Sequence, residues 1–413
     1  MPAASDGGSN AARPLVSLAA AQGFASPRAL YIHYPFCVHR CHYCDFSVKR
    51  SSDPPFEEWL AALETDLTWW FAVTGWPRRL PLDSIFVGGG TPSLVPESGP
   101  AALAAVLSER FVLDGLLEWT VESNPVSLTE RVAEAWRVAG ATRLSVGVQA
   151  FDDLTLRWLG RLHDRETAEQ ALRIAGAAGF ERLSVDLLFG LPGEVERSLD
   201  REIDQLLEHD VDHVSAYGLT VEPRTPLARW VELGRVTPAG GEAYETEYRT
   251  ISGRLIDAGF GHYEVSNFAR PGQECRHNWY YWNRSPYLGL GPSSHGFFPP
   301  LRVWNTFRWD RYRKVLEAGA GPVESWEKLD EADVALERLW LGLRTRKGIE
   351  ADDATWRDAV GRRLPEWIDQ GWVRLEAGRV MATTDGWLRL DELVTEIGGG
   401  VREAPLIEGG HKN

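Results

Sequence analysis

The chain has 413 residues, with 44 basic and 59 acidic side chains, a formal net charge of −15 and four cysteines. That length suits one barrel domain of about 250 residues plus a smaller partner. The acidic balance argues against a general nucleic-acid binder, and no apolar run reaches the ~18 residues of a spanning helix. Three cysteines inside eight positions are too close for a disulfide framework, so the expected setting is a reducing cytoplasm.

Residues 1–28 have no basic stretch ahead of their short apolar part and read as a disordered lead, not a secretory signal. From Arg28 to about Pro300, short runs rich in β-branched residues alternate with helical periodicity. The runs are ALYIHY (29–34), SIFVGGG (84–90), WTVESN (119–124), RLSVGVQ (143–149), RLSVDLLFG (182–190), HVSAYGLT (213–220) and a weaker HYEVSNF (262–268). Between them, Asp53-Pro54 reads as a helix cap and first turn, and Phe56, Leu60, Leu63, Leu67 and Trp70 make one apolar face. Ser127 to Glu130 and Thr167 to Gln170 read as capping boxes; Gly140 and Gly179 mark helix ends. A faint repeat, Arg-Leu-Ser-Val after each of those glycines, recurs at 39 residues. Strands alternating with helices predict a parallel sheet. Six or seven units are fewer than a closed eightfold barrel needs, so the expectation over 29–300 is a partial (βα)6-like parallel barrel, with a doubly wound sheet as the rival.

After about Leu301 the texture changes. Helices near 309–318, 330–345 and 354–370 precede a hairpin of Trp372–Leu375 with Val380–Thr383 across Ala377-Gly378. This predicts a small, mostly helical, winged-helix-like domain over 301–397, with a disordered tail at 398–413. Residues 321–395 carry 11 basic and 16 acidic side chains, a net of −5, which argues against a DNA-reading wing.

Residues of unusual type fall at the C-terminal ends of the predicted strands: Gly88 to Thr91, Glu122 to Pro125, Gln149, Asp186 and Tyr217 to Thr220. Any one of them could be a turn or cap, but together they converge on one barrel face. At the first strand's end stand Cys37, Cys41 and Cys44, a Cys-x3-Cys-x2-Cys spacing. Structural zinc would need a fourth ligand, for which His33, His39 or His42 is available. A cubane held by three thiolates instead leaves one iron open to a small molecule. Cys275 is alone and remote.

Tyr31-x-His-x-Pro-Phe-Cys-x3-Cys-x-Tyr-Cys resembles the radical S-adenosylmethionine (SAM) superfamily, in the branch holding oxygen-independent coproporphyrinogen III oxidases and the HemW-type haem chaperones. GGGTPS (88–93), VESNP (121–125), SVGVQAFD (145–152), GRLH (160–163), DLLFGLPG (186–193), YGLTVEPRTPL (217–227) and HNWYYW (277–282) follow in the family's order. The resemblance implies a [4Fe–4S] cluster on Cys37, Cys41 and Cys44 with SAM on the fourth iron. It implies SAM contacts at Tyr31, Tyr43, Gly89, Gly90, Thr91, Glu122, Gln149, Arg161 and Asp186. Glycines permit close backbone approach, carboxylates suit an ammonium or ribose hydroxyls, and arginine suits a carboxylate.

The oxidases carry a further cysteine two positions after the last ligand; this chain has Asp45-Phe46, which resembles the chaperone members. His277-Asn-Trp-Tyr-Tyr-Trp282 resembles their His-Asn-x-x-Tyr-Trp motif, implying a haem site at His277, Asn278, Tyr281 and Trp282. The competing reading makes His277 and Trp282 packing residues between the barrel and the C-terminal domain. The implied function is haem binding and transfer to acceptor apoproteins, with respiratory-chain haemoproteins as the expected acceptors. The rival is anaerobic oxidative decarboxylation of coproporphyrinogen III. Homodimerisation and peripheral membrane contact are compatible with the resemblance; a nucleic-acid partner is not expected.

Overall fold

The computed structural model describes Leu15 and residues 23–403. Six strands form the barrel wall, in chain order: β1 (Ala29–Tyr34), β2 (Ser84–Gly89), β3 (Glu118–Ser123), β4 (Arg143–Gln149), β5 (Arg182–Phe189) and β6 (His213–Gly218). Each pairs in parallel with the next in that same order. A doubly wound sheet would reverse at a switch point. This one does not, so the wall is that of a partial barrel. The Arg-Leu-Ser-Val repeat is a register: Arg143, Leu144, Ser145 and Val146 lie beside Arg182, Leu183, Ser184 and Val185.

The helix α1 (Phe56–Thr74) buries Phe56, Leu63, Leu67 and Trp70 on its predicted face and stops at Gly75, whose φ of 65° is left-handed. It starts behind Pro55 with no side-chain cap, so Asp53 does not cap it. Helix α2 (Gly99–Ser108) follows, then α3 (Glu130–Ala139), which is capped by Thr129 accepting from the Val132 N–H at 3.2 Å, not by Ser127. After α4 (Asp153–Leu159) comes α5 (Arg165–Ala177), where Asp164 accepts from the Thr167 N–H at 2.9 Å, so the cap lies three residues before the expected one. Each true cap is the residue just ahead of the first helical one, with an extended backbone, as the hydrogen-bond geometry requires.

Three expectations are corrected. The run at 262–268 is not a further parallel strand: Gly261–Glu264 and Asn267–Ala269 form an antiparallel hairpin that closes onto β6. Two linking residues, Val265 and Ser266, cannot make a parallel crossover. The barrel does not end near residue 300. Beyond β1 the sheet continues through Tyr287–Leu290, His295–Phe298, Leu301–Asn305 and Val323–Lys328. Buried Asp66 on α1 secures this segment, accepting from Tyr312 Oη at 2.6 Å, Gly291 N–H at 3.0 Å and Asn305 Nδ2 at 3.1 Å. Nor are the supposed lead and tail unstructured throughout. Phe24 is buried and stacks on Phe298 with ring centroids 5.1 Å apart, and Arg28 pairs with Asp83. Residues 398–403 continue the helix Leu390–Glu403. The rest of both segments, 1–14, 16–22 and 404–413, lies outside the described residues.

The C-terminal unit has its own apolar core around Leu339, Trp356, Trp367, Val380 and Leu393. Helices Trp309–Glu317, Glu331–Arg344 and Arg357–Asp369 lie close to the expected bounds, although the first packs on the barrel. The hairpin Val373–Glu376 with Arg379–Ala382 turns at Ala377 and Gly378, both at positive φ, and gains Ile349–Glu350 as a third strand. Among the described residues no helix is long and apolar enough to cross a membrane.

Replacing Asp66 by Ala should strip an acceptor from three buried donors and cost about 3 kcal/mol or more. A urea midpoint shift read against wild type checks this. A cost under about 1 kcal/mol would mean that Asp66 does not tie residues 291–312 to the barrel.

Candidate functional site

The barrel strands alternate, as strands must, but the inward set is polar. Thr120 and Glu122 of β3, Arg143, Ser145, Gly147 and Gln149 of β4, Ser184, Asp186 and Leu188 of β5, and His213, Ser215 and Tyr217 of β6 line a cavity of about 350 Å³. Between them Val121, Leu144, Val146, Val148, Leu183, Val185, Leu187, Val214 and Ala216 are buried on the other side. The strand C-termini open this cavity beside Cys37, Cys41, Cys44, Tyr43, Gly89, Gly90 and Thr91; Cys275 and Asn278 lie at its floor.

The loop carrying the three thiols is pinned to the mouth. The His42 backbone N–H donates to Leu159 O at 3.2 Å, and His42 Nδ1 lies 3.0 Å from Trp158 O. Gly160 makes room: at φ 74°, a Cβ there would come within 2.9 Å of the His42 ring. Thr91 Oγ1 donates to Cys37 Sγ at 3.3 Å, Arg161 Nη1 to Cys41 Sγ at 3.5 Å, and Arg40 Nε to Cys44 O at 3.1 Å. Burial pushes the Cys37 and Cys44 thiols up to about 11. An electropositive guest is therefore needed to hold them as thiolates near neutral pH.

Beside the thiols is a cradle. A Cβ on Gly89 would meet the His33 ring at 2.4 Å, and one on Gly90 would meet Phe36 O at 2.5 Å. His33 is itself held on both ring nitrogens, by Tyr31 Oη at 3.0 Å and Ser47 O at 2.9 Å, and burial keeps it neutral by lowering it to about 4. His33 is thus committed as a buttress. Tyr31, bonded to His33, lies on β1 beside the cavity-lining Phe86 of β2, with ring centroids 6.2 Å apart. Gln149 ends β4 at φ 70°, a strained conformation for a non-glycine residue.

The cradle's charges are unsatisfied. Glu122 accepts the Gly89 N–H at 3.0 Å, yet burial, and then the negative charge of Asp186, push it up to about 8. Asp186 is pushed up to about 6 by burial, against the pull of Ser215 and of Ser145, which donates to it at 3.3 Å. Among the described residues neither carboxylate has an ion-pair partner within 4.0 Å. Arg161 donates to Gly147 O at 2.8 Å and to Cys41, but its Nε is buried without a partner among the described residues. Thr120 Oγ1 and His213 Nδ1 are likewise buried and unpaired on the cavity wall.

The four haem candidates share one short helix, Arg276–Trp282, at the far end of the barrel. His277 is buried, with Nδ1 2.9 Å from Ser84 Oγ and Nε2 2.8 Å from Tyr281 Oη, and its backbone N–H donates to Glu118 at 3.2 Å. Glu118 also forms a fully buried pair with Arg143 at 2.9 Å. Asn278 reaches the cavity floor, whereas Trp282 faces the C-terminal unit beneath the guanidinium of Arg344, 4.4 Å from its ring centroid. Of the four haem candidates, only Asn278 therefore shares the cavity that opens beside the cluster candidates.

Sequence reasoning passed over Thr120, Ser145, Ser184, His213 and Ser215 as cavity residues. Their signal was the period of two: in RLSVGVQ and RLSVDLL every second residue is polar or glycine at first, although both faces of such a strand are covered.

These residues fit the group that the motif implies. Among the described residues no three His, Cys, Asp or Glu side chains are arranged to hold a single metal ion. Three thiols around an open mouth, beside a glycine cradle with unpaired carboxylates, suit a cluster with one iron per thiolate and a charged small molecule next to it. The family model of the radical SAM superfamily matches residues 31–206. The solved coproporphyrinogen III oxidase (HemN) of Escherichia coli shares the fold, with a TM-score of 0.77 at 19% identity over 94% of this chain and 93% of that one. The heme chaperone HemW of Bacillus subtilis is 34% identical over 78% of this chain and 84% of its own length. The heme chaperone HemW of Mycobacterium tuberculosis is 35% identical over 90% of this chain and 95% of its own length. Radical SAM membership implies a [4Fe–4S] cluster and SAM. On a likeness of that extent, the chain belongs to the HemW family of the radical SAM superfamily.

Proposed function

We propose that this chain is a haem chaperone: it takes up haem and passes it to acceptor apoproteins, with respiratory haemoproteins as the acceptor class. The observation that carries the reading is the likeness to curated haem chaperones along nearly the whole chain. Phe46 agrees with it. At the position of the oxidases' further cysteine stands a phenylalanine that is 57% exposed at the mouth.

Cys37, Cys41 and Cys44 would hold the cluster, which when bound supplies an electron source and one open iron. Arg161 and Thr91 donate to two of the thiols and would stabilise the thiolate form. Glu122 and Asp186 would meet the cationic and hydroxyl groups of SAM, and Gly89 and Gly90 would admit its methionyl end. An axial role for His277 would require releasing one ring nitrogen from Ser84 or Tyr281. Burial lowers His277 to about 4, so a freed nitrogen would be neutral and able to ligate iron.

After anaerobic reconstitution, the protein should show a haem Soret band and hand haem to an apoprotein, with no conversion of coproporphyrinogen III in the presence of SAM and reductant. Robust conversion would replace this reading with the oxidase. His277→Ala should weaken haem retention with the cluster absorbance unchanged; retention equal to wild type would leave His277 as a strut.

Alanine at Cys37, Cys41 or Cys44 should abolish the cluster's visible absorbance and its iron and sulfide. Cys275→Ala should leave them intact, because that thiol lies at the cavity floor beside Glu118. Loss of the cluster in Cys275→Ala would refute the three-ligand assignment.

SAM affinity should rise with pH. Glu122 is protonated below about 8 in the free site, and a cationic ligand must displace that proton. Between pH 6 and 8 the gain should approach tenfold per unit, as for any binding step that releases one proton. Glu122→Gln should bind weakly with a flat profile in equilibrium dialysis. An unchanged slope in that variant would assign the proton elsewhere.

A further inference from the structure

The chain has 18 Trp, 11 Tyr and 15 Phe. Among the described residues only three of these aromatic residues are exposed: Phe46 at 57%, Tyr217 at 44% and Phe307 at 41%. All three stand at the opening beside the thiols. Phe46 and Tyr217 line that cavity. Phe307 is tied to the same loop, because the Ser47 hydroxyl donates to its carbonyl. The segment after Tyr217 also closes on the thiol loop. There the Leu227 N–H donates to His42 O at 3.0 Å, and Arg224 holds its guanidinium 5.9 Å from the Phe307 ring centroid. A chain that covers the rest of its aromatic surface leaves rings bare at one opening, which marks a place where a ligand covers them.

The rim is cationic, although the chain as a whole carries −15. Arg50, whose backbone lies in register beside Cys37, is exposed, as are Arg224 and Arg308. None of the three forms an ion pair among the described residues. The carboxylates beside them are spent elsewhere: Asp310 pairs with Lys49 at 2.7 Å, and Glu324 with Arg311 at 3.1 Å. Within residues 37–50 only Asp45 is acidic. Bare rings beside unneutralised guanidinium groups suit a flat apolar ligand that carries carboxylates.

Haem has that composition, an aromatic macrocycle with two propionates. Three rings are too few for a stable protein partner, whose interface takes about 800 Å² per side. His277 cannot make the first contact, since it is 0% exposed and hydrogen-bonded on both ring nitrogens. We propose that haem is received on this rim, its macrocycle against Phe46 and Phe307 and its propionates on Arg224 and Arg308, before any engagement of His277. The proposal rests on the chaperone reading and adds a location to it. Phe46, which replaces the oxidases' further cysteine, is then part of the receiving face.

The test uses the anaerobically reconstituted full chain, with melting temperature and cluster absorbance verifying that the variants fold. Soret titrations with haem and with its dimethyl ester are run on wild type, Phe46→Ser, Phe307→Ser, Arg224→Asn and His277→Ala. Asparagine suits position 224, where φ is 68°. Phe46→Ser and Phe307→Ser should each weaken haem about tenfold, the loss expected when a half-exposed ring no longer covers the ligand. Arg224→Asn should weaken haem but not its dimethyl ester. Haem should also slow hydrogen exchange at residues 45–50 in wild type and in His277→Ala alike. Haem affinity unchanged in all three rim variants, with His277→Ala losing it, overturns the proposal and leaves the chaperone reading standing. Protection of 45–50 by an acceptor apoprotein but not by haem also overturns it, and assigns the rim to that partner. Haem failing to bind wild type at all strikes the chaperone reading, and this proposal with it.

Discussion

The account depends on one imbalance of solvation. Glu122, Asp186 and Arg161 are enclosed together inside a barrel wall whose reverse side is apolar; among the described residues neither carboxylate forms an ion pair within 4.0 Å, and only Asp186 feels the Arg161 charge. Burying ionisable groups this way costs several kcal/mol each unless a partner returns the lost hydration. The protein supplies partial compensation: one backbone N–H for Glu122, serine hydroxyls for Asp186, a carbonyl and a thiol for Arg161. In the free site the proton held by Glu122 relieves much of what remains, and a guest bearing cationic and hydroxyl groups would replace that proton.

The same imbalance explains why the mouth is rigid where it might have been loose. The thiol loop is bonded to the end of α4, the glycine turn after β2 is closed by the His33 ring, and His33 is fixed from two sides. A site that must meet a cluster on one side and a charged ligand on the other gains affinity from such preorganisation. The haem candidates lie at the other end, on a helix whose histidine is fully hydrogen-bonded. Any haem function of His277 therefore involves a rearrangement that the cluster site does not need.

Much of this was legible in the chain itself. The cysteine spacing, the glycines after β2 and the carboxylates at strand ends are local patterns, and local patterns survive in one dimension. The repeat at 143–146 and 182–185 proved to be two adjacent strands in register. The polar-inward alternation was also present, but its meaning needed the barrel, because the sequence does not show which of two covered faces is a cavity. What could not be read were distant pairings. Nothing local to Leu301–Asn305 or Val323–Lys328 announces that they extend the sheet begun at β1, or that Asp66, more than two hundred residues earlier, secures them. Phe24 escaped for the same reason: its partner, Phe298, closes the other end of the barrel segment.

The most direct probe of the guest is pulsed electron–nuclear double resonance on the reduced protein, using SAM labelled with 15N and 17O in its methionyl group. The account predicts strong hyperfine coupling from both labels, as direct attachment to an iron without a protein ligand requires. Bound SAM with no such coupling would mean that the three thiols do not leave the corner open, and the reading built on them would fall.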